Sequence, residues 1–177
     1  MYEQSTSIRV WDPFIRFFHW TLVLAFALAW ASAEEWDWLH EQTGYYILAV
    51  VGLRVIWGLI GTRHARFADF LYRPARTVSY LRGLASGRGE RFIGHNPAGG
   101  WMVVALLLML VLTGATGIML EGNEHGLWEE VHEVAAYSTV VLVGVHVAGV
   151  LAATVLHGEN LIKAMWTGRK AGGVSDV

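Results

Sequence analysis

The residues of this chain with the most chemical content are histidines, and their spacing is informative before anything else is known. His132 and His146 lie fourteen residues apart on one apolar segment that runs from Glu130 to Leu156. Fourteen residues of α-helix turn through just under four revolutions and rise about 21 Å, so both imidazoles leave nearly the same face at different depths. Two more histidines have counterparts at those depths: His40 pairs with His132, and His19 with His146. Each pair offers two opposed ring nitrogens, which is what a flat iron macrocycle needs on its two faces. A third candidate, His157, shares the face of His146 but would stand about 37 Å from His132 along the axis, beyond the hydrocarbon thickness of a bilayer. That leaves His146 as the better inner group and His157 as its competitor.

The elements that must position these rings are membrane helices. The 177 residues are 54% hydrophobic and 16% charged, include nine Trp and have a mean hydropathy of +0.40, which fits a bilayer protein better than a soluble domain. Crossing a hydrocarbon core takes roughly 20 apolar helical residues. Four segments meet that need: Phe14 to Ala33, Gly44 to Ile60, Trp101 to Leu120, and Val134 to Leu156 within a helix that begins near Glu130. The expected fold is an all-α integral membrane protein, a single four-transmembrane-helix bundle over residues 1–177. The first segment lacks an A-x-A-like site before Glu34 and Glu35, so it is expected to remain as helix one.

The distribution of charge orients the bundle. Twelve of the thirteen Lys and Arg residues flank helix one, fill the connection over residues 61–100 or follow helix four. The loops around Glu34 to Glu41 and Glu121 to Glu130 contain no Lys or Arg. The positive-inside rule therefore predicts both termini and the long connection on the cytoplasmic side. With no cysteine in the chain, disulfides, iron-sulfur clusters and covalent C-x-x-C-H haem attachment are excluded, and any haem must be held non-covalently.

Arg54 is the remaining cation, placed within helix two fourteen residues after His40, and so below it on the same face. A haem propionate is one counter-ion for it; snorkelling to the headgroups is the other reading. In R-P-A-R-T-V-S-Y-L-R-G-L, Pro74 opens a helix with Val78, Leu81 and Leu84 on one side and Arg76 and Arg82 away from it, which reads as a short interfacial amphipathic helix between helices two and three. S-G-R-G-E-R after it reads as a flexible tether. His64 and His95 fall at the cytoplasmic boundary, where interfacial solvation is the plainer role and a propionate or quinone contact the sharper one; Asn96-Pro97 reads as a helix start. His125 reads as a surface residue. Helix three has no ionisable group, Met109 and Met119 read as packing residues, and Thr113, Gly114, Thr116 and Gly117 would let a neighbouring helix or macrocycle approach closely.

Four blocks, R-V-W-D-P-F-I-R-F-F-H-W, G-L-R-V-I-W-G-L-I-G-T-R-H-A-R-F, H-N-P-A-G-G-W and H-G-E-N-L-I-K-A-M-W-T-G, resemble the bacterial cytochrome b561 family, itself similar to the b-type cytochrome subunits of nickel-iron hydrogenases. The resemblance extends over nearly the whole chain. It implies two haem b groups, each with two histidine ligands at the positions matching His19, His40, His132 and His146. It also implies electron transfer between quinone or quinol and a soluble or membrane redox protein or small oxidant in the bacterial inner membrane, with lipid around the helices and no nucleic acid partner. Histidine on both faces of iron leaves no open coordination position, which independently favours electron transfer over oxygen activation. Two other readings are weighed. The chain could be the membrane-anchor cytochrome subunit of a hydrogenase or other dehydrogenase, or, in a different class, a metal-ion or proton transporter. A transporter usually needs carboxylates within the membrane, and every Asp and Glu here lies at or beyond a helix end.

Overall fold

In a computed structural model the chain is described over residues 7–120 and 126–172; His125 lies outside the described residues. Helix α1 spans Pro13–Ser32. Asp12 caps it by accepting from the Ile15 amide at 2.9 Å, and Pro13 occupies the first turn, where its missing N–H costs nothing. Helix α2 spans Asp37–Ile60, two turns longer than expected at its start. Hydropathy alone misses D-W-L-H-E-Q-T, which is polar yet continues the helical hydrogen bonding directly after a tight turn. His40 consequently sits inside a helix rather than in a loop.

The connection between the second and third long helices carries a single turn, α3, at Phe67–Phe70 and the expected helix, α4, at Pro74–Ala85. Tyr80 is the buried residue of α4, while Val78 and Leu81 remain nearly half exposed, at 46% and 47%. The helix is thus anchored by Tyr80, whose ring meets Phe92 edge-on at 5.7 Å, and its Val78 and Leu81 face outward.

Helix α5 spans Pro97–Leu120 and begins at the Asn96-Pro97 pair, with the Asn96 side chain accepting from the Gly99 amide at 2.7 Å. Helix α6, Leu127–His157, is the longest at 31 residues and stops at Gly158, whose φ of 61° suits glycine. A short helix not anticipated from hydropathy, α7, spans Leu161–Thr167, capped by Asn160.

The fold is not purely helical. Strand β1, Ser7–Arg9, pairs antiparallel with β2, Arg169–Ala171, in the register Ser7↔Ala171, Ile8↔Lys170 and Arg9↔Arg169. Three-residue strands carry too little alternation to be read from sequence. The ribbon places the two described ends together at the basic end of the bundle. Glu159 reinforces it by accepting from Arg91 at 2.9 Å and from the Ala171 amide at 3.0 Å, and these partners hold its carboxyl below the ordinary carboxylate range.

Among the described residues, four helices are long and apolar enough to cross a membrane: α1, α2, α5 and α6. They pack as a chain, α1 on α2, α2 on α5 and α5 on α6, whereas α6 makes no comparable backbone approach to α1 or α2. Small residues allow the tight contacts. Ala25 and Ala29 of α1 meet Ile47 and Val51 of α2 and Leu107 of α5 in one core cluster. A second cluster, Val10, Trp11, Ile15 and Ala65, seals the basic end. Outward apolar residues such as Leu24, Leu59 and Val155 are exposed, as a lipid-facing surface requires.

Candidate functional site

The space between α6 and the pair α1 and α2 is where the four histidines meet. His40, one turn into α2, and His132, in the second turn of α6, face each other with ring centroids 6.0 Å apart. His19 of α1 and His146 of α6 do the same at 6.5 Å, deeper toward the basic end. His157 is the last residue of α6, and the ring opposite His19 is that of His146.

These separations can be tested against a metal. An imidazole nitrogen bonds a divalent transition metal at about 2 Å, and the ring centre lies roughly 1.1 Å further, so two rings on opposite sides of one metal stand about 6.2 Å apart. The observed 6.0 and 6.5 Å fall on either side of that value. Ring contacts without a metal reach similar values, as Phe14 and Phe18 do at 6.1 Å; what sets these two apart is that each joins two histidines, at two depths, between α6 and a neighbouring helix. The donor residues therefore fit a bis-histidine iron group, and the backbone of α6 stays clear of α1 and α2 on either side of them. The histidines converge in twos; among the described residues no group of three or more His, Asp or Glu converges as a metal cage.

The outer pair is prepared by hydrogen bonds that the sequence did not disclose. His40 Nδ1 lies 2.8 Å from the Ala29 carbonyl, and His132 Nδ1 lies 2.9 Å from the Thr113 carbonyl. A carbonyl only accepts, so each Nδ1 carries the proton and each Nε2 presents its lone pair. The His132 contact is made possible by Gly117: a Cβ there would stand 3.2 Å from His132 Cε1 and 3.4 Å from Nδ1. Thr116 Oγ1 lies 3.3 Å from the same nitrogen, and Thr113 meets Thr139 of α6 hydroxyl to hydroxyl at 3.3 Å. The Thr-Gly cluster of α5 thus serves close approach, as its composition suggests: Gly117 admits the ring of His132 and Gly114 the Leu48 side chain of α2.

The chain matches a family model, prokaryotic cytochrome b561, over residues 10–168.

It belongs to the prokaryotic cytochrome b561 family.

Searches among curated proteins and solved structures gave no match. Membership of the cytochrome b561 family implies a multi-pass bacterial membrane protein that binds b-type haem and transfers electrons across the membrane.

At the basic end the structure bears on the alternatives left open for Arg54 and His95. Arg54 does not snorkel. It is 7% exposed, donates to the Ala65 carbonyl at 3.2 Å and lies 5.1 Å from the Phe67 ring centroid. His95 is not simply solvated at an interface: its ring lies 4.7 Å from that of Trp11 and 4.5 Å from that of Phe70. Burial, and then the Arg54 and Lys170 cations, push its pKa down to about 3, so it is neutral at physiological pH. His64 packs over Gly94, where a Cβ would stand 3.0 Å from its Nδ1. Asp12 ties this end together. Beyond capping α1 it accepts from Thr62 Oγ1 at 2.5 Å and Trp57 Nε1 at 3.1 Å, and these donors keep its carboxyl below the usual value despite burial.

Proposed function

We propose that this cytochrome carries electrons across the bacterial inner membrane through two bis-histidine b-type haems, His40 with His132 toward the acidic end and His19 with His146 toward the basic end. The observation that carries the reading is the pair of ring separations, 6.0 and 6.5 Å, at two depths across the gap beside α6. Held by the two histidines of each pair, a haem would supply a one-electron iron couple. The chain's own contribution is geometric and electrostatic. The Ala29 and Thr113 carbonyls hold the outer imidazoles in the ligating tautomer, which also raises their basicity. Arg54 supplies a buried cation for a haem propionate at the inner site. The positive-inside rule puts the basic end, with both termini, in the cytoplasm, and Val78 and Leu81 of α4 suit contact with the inner leaflet. Quinone or quinol is the partner on one side of the exchange, and a redox protein or small oxidant the partner on the other.

A reduced-minus-oxidised spectrum of detergent-purified protein, with haem and iron counted per chain, tests this reading. Two b-type haems are expected. A colourless preparation from haem-replete cells overturns it.

A further inference from the structure

The two histidine pairs sit in unequal surroundings. Six buried side-chain N or O atoms have no hydrogen-bond partner among the described residues: Arg16 Nε, His19 Nδ1, Trp20 Nε1, Arg54 NH1, Tyr80 OH and His95 Nδ1. All six belong to the basic half of the bundle or to the connection that caps it. The outer pair, by contrast, has both Nδ1 atoms bonded to carbonyls. A buried donor without an acceptor is costly, more so if charged, so several in one region point to a missing acceptor.

The chemistry of the donors defines what is missing. Arginine and tryptophan nitrogens only donate, and a neutral histidine offers one N–H. Arg16, His19 and Trp20 are spaced i, i+3 and i+4 on α1, so Arg16 lies one turn toward the basic end from the His19 ring on the same face. Arg54 stands on α2 and His95 in the loop before α5, its ring against Trp11 and Phe70 at the same basic end, where the charges of Arg54 and His146 both act on it.

Charge points the same way. Arg54 is 7% exposed, and neither it nor Arg16 forms an ion pair among the described residues. The carboxylate electrostatically coupled to Arg54 is Asp12, and both its oxygens are already taken, Oδ1 by Ile15 and Oδ2 by Trp57 and Thr62. Neither guanidinium therefore touches a carboxylate among the described residues, and Arg54, which is buried, has only the longer-range field of Asp12 to offset its charge, a costly state for a buried cation.

We propose that Arg16, Trp20, Arg54 and His95 form a cradle for two carboxylates, and that these are the propionates of the haem on His19 and His146, which fixes that haem with its acidic edge toward the basic end. The proposal rests on the bis-histidine reading and extends Arg54's part in it to three further residues and an orientation. A phosphate, free or in a lipid headgroup, shares the oxyanion chemistry. The haem carboxylates are favoured because Arg16 lies one helical turn from the ligand that would hold them, and because the unpartnered Arg54 nitrogen is buried.

The test is potentiometric titration of the purified holoprotein, with the inner step assigned by its absence from His146→Ala. Replacing Arg54 by Gln removes a cation that favours the reduced haem. The inner step is expected to move to lower potential, with the reduced-to-oxidised ratio at fixed potential falling about tenfold, which is 59 mV for one electron. Arg54→Lys restores most of it, and the outer step stays in place. Redox-difference infrared spectra with isotope-labelled haem propionates supply a second readout. Their carboxylate bands are expected to shift in Arg54→Gln and in the milder Trp20→Phe, so the proposal stays testable if the arginine variant does not fold. Equal movement of both steps, or of neither, overturns the cradle. So does an inner step that follows inorganic phosphate, or the phosphatidylglycerol content of the vesicle, while the labelled bands ignore both substitutions. In each of these outcomes two haems per chain are still counted; fewer than two in the wild type would instead sink the bis-histidine reading.

Discussion

Replacing Gly117 by Val examines whether the outer site is set by helix–helix proximity. A Cβ at this position stands 3.2 Å from His132 Cε1 and 3.4 Å from its Nδ1, already inside ordinary contact. Alanine requires the ring to yield by a few tenths of an ångström, which a side chain can do at modest cost. Valine adds two methyl groups that reach farther, and the ring must shift by about 1 Å to avoid them. The Nδ1 to Thr113 carbonyl bond, 2.9 Å at rest, then stretches past about 3.5 Å and ceases to be a hydrogen bond. Losing the group that orients a ligating histidine typically weakens metal affinity 10–100-fold, or about 1.4–2.7 kcal/mol. The inner pair lies fourteen residues along α6, about 21 Å away, and does not feel the change. Haem per chain together with a low-temperature difference spectrum is the assay. The expected result is loss or broadening of one α-band component in Gly117→Val, a small shift in Gly117→Ala and an intact second component in both. A wild-type spectrum in Gly117→Val, or loss of the inner component first, would refute the reasoning.

Two further outcomes follow from the same geometry. His146→Ala should abolish the inner haem and leave the outer one, while His157→Ala keeps both; if absorbance disappears with His157 instead, the inner ligand is the residue at the end of α6. Asp12→Ala removes a helix cap and two side-chain hydrogen bonds, and should lower stability by about 2–4 kcal/mol in denaturant titration, with Trp57 fluorescence reporting loosening at the basic end. Because the folded Asp12 carboxyl is held below its unfolded value, its contribution is complete above the unfolded carboxylate range and is lost as pH falls through the lower folded value. An unfolding profile in which the wild-type advantage over Asp12→Ala survives well below this range would contradict the assignment.

Much of the arrangement was legible in the chain, because the bilayer imposes simple rules. Apolar length marked all four spanning helices, since a backbone in hydrocarbon must bond to itself. The fourteen-residue step from His132 to His146 fixed two depths on one face. Helix starts were less legible. The polar first turns of α2 and α6 remain helical because their backbone groups still need partners, which a hydropathy window does not register. The ribbon between Ser7–Arg9 and Arg169–Ala171 was hidden because it joins segments that are remote in sequence and too short to show a pattern.

The sequence by itself determined the apolar character, the four candidate membrane helices, the charge asymmetry and the presence of four histidines at matched depths, all of which follow from composition and helical period. Only the tertiary structure decided which rings face each other, that α6 stands apart from α1 and α2, that the Ala29 and Thr113 carbonyls hold the outer histidines, and that Arg54 turns inward beside His95. Those outcomes depend on the angles and distances between helices. Such distances are set by side chains meeting across long stretches of sequence, as where Gly117 allows His132 to approach, and no local pattern encodes them.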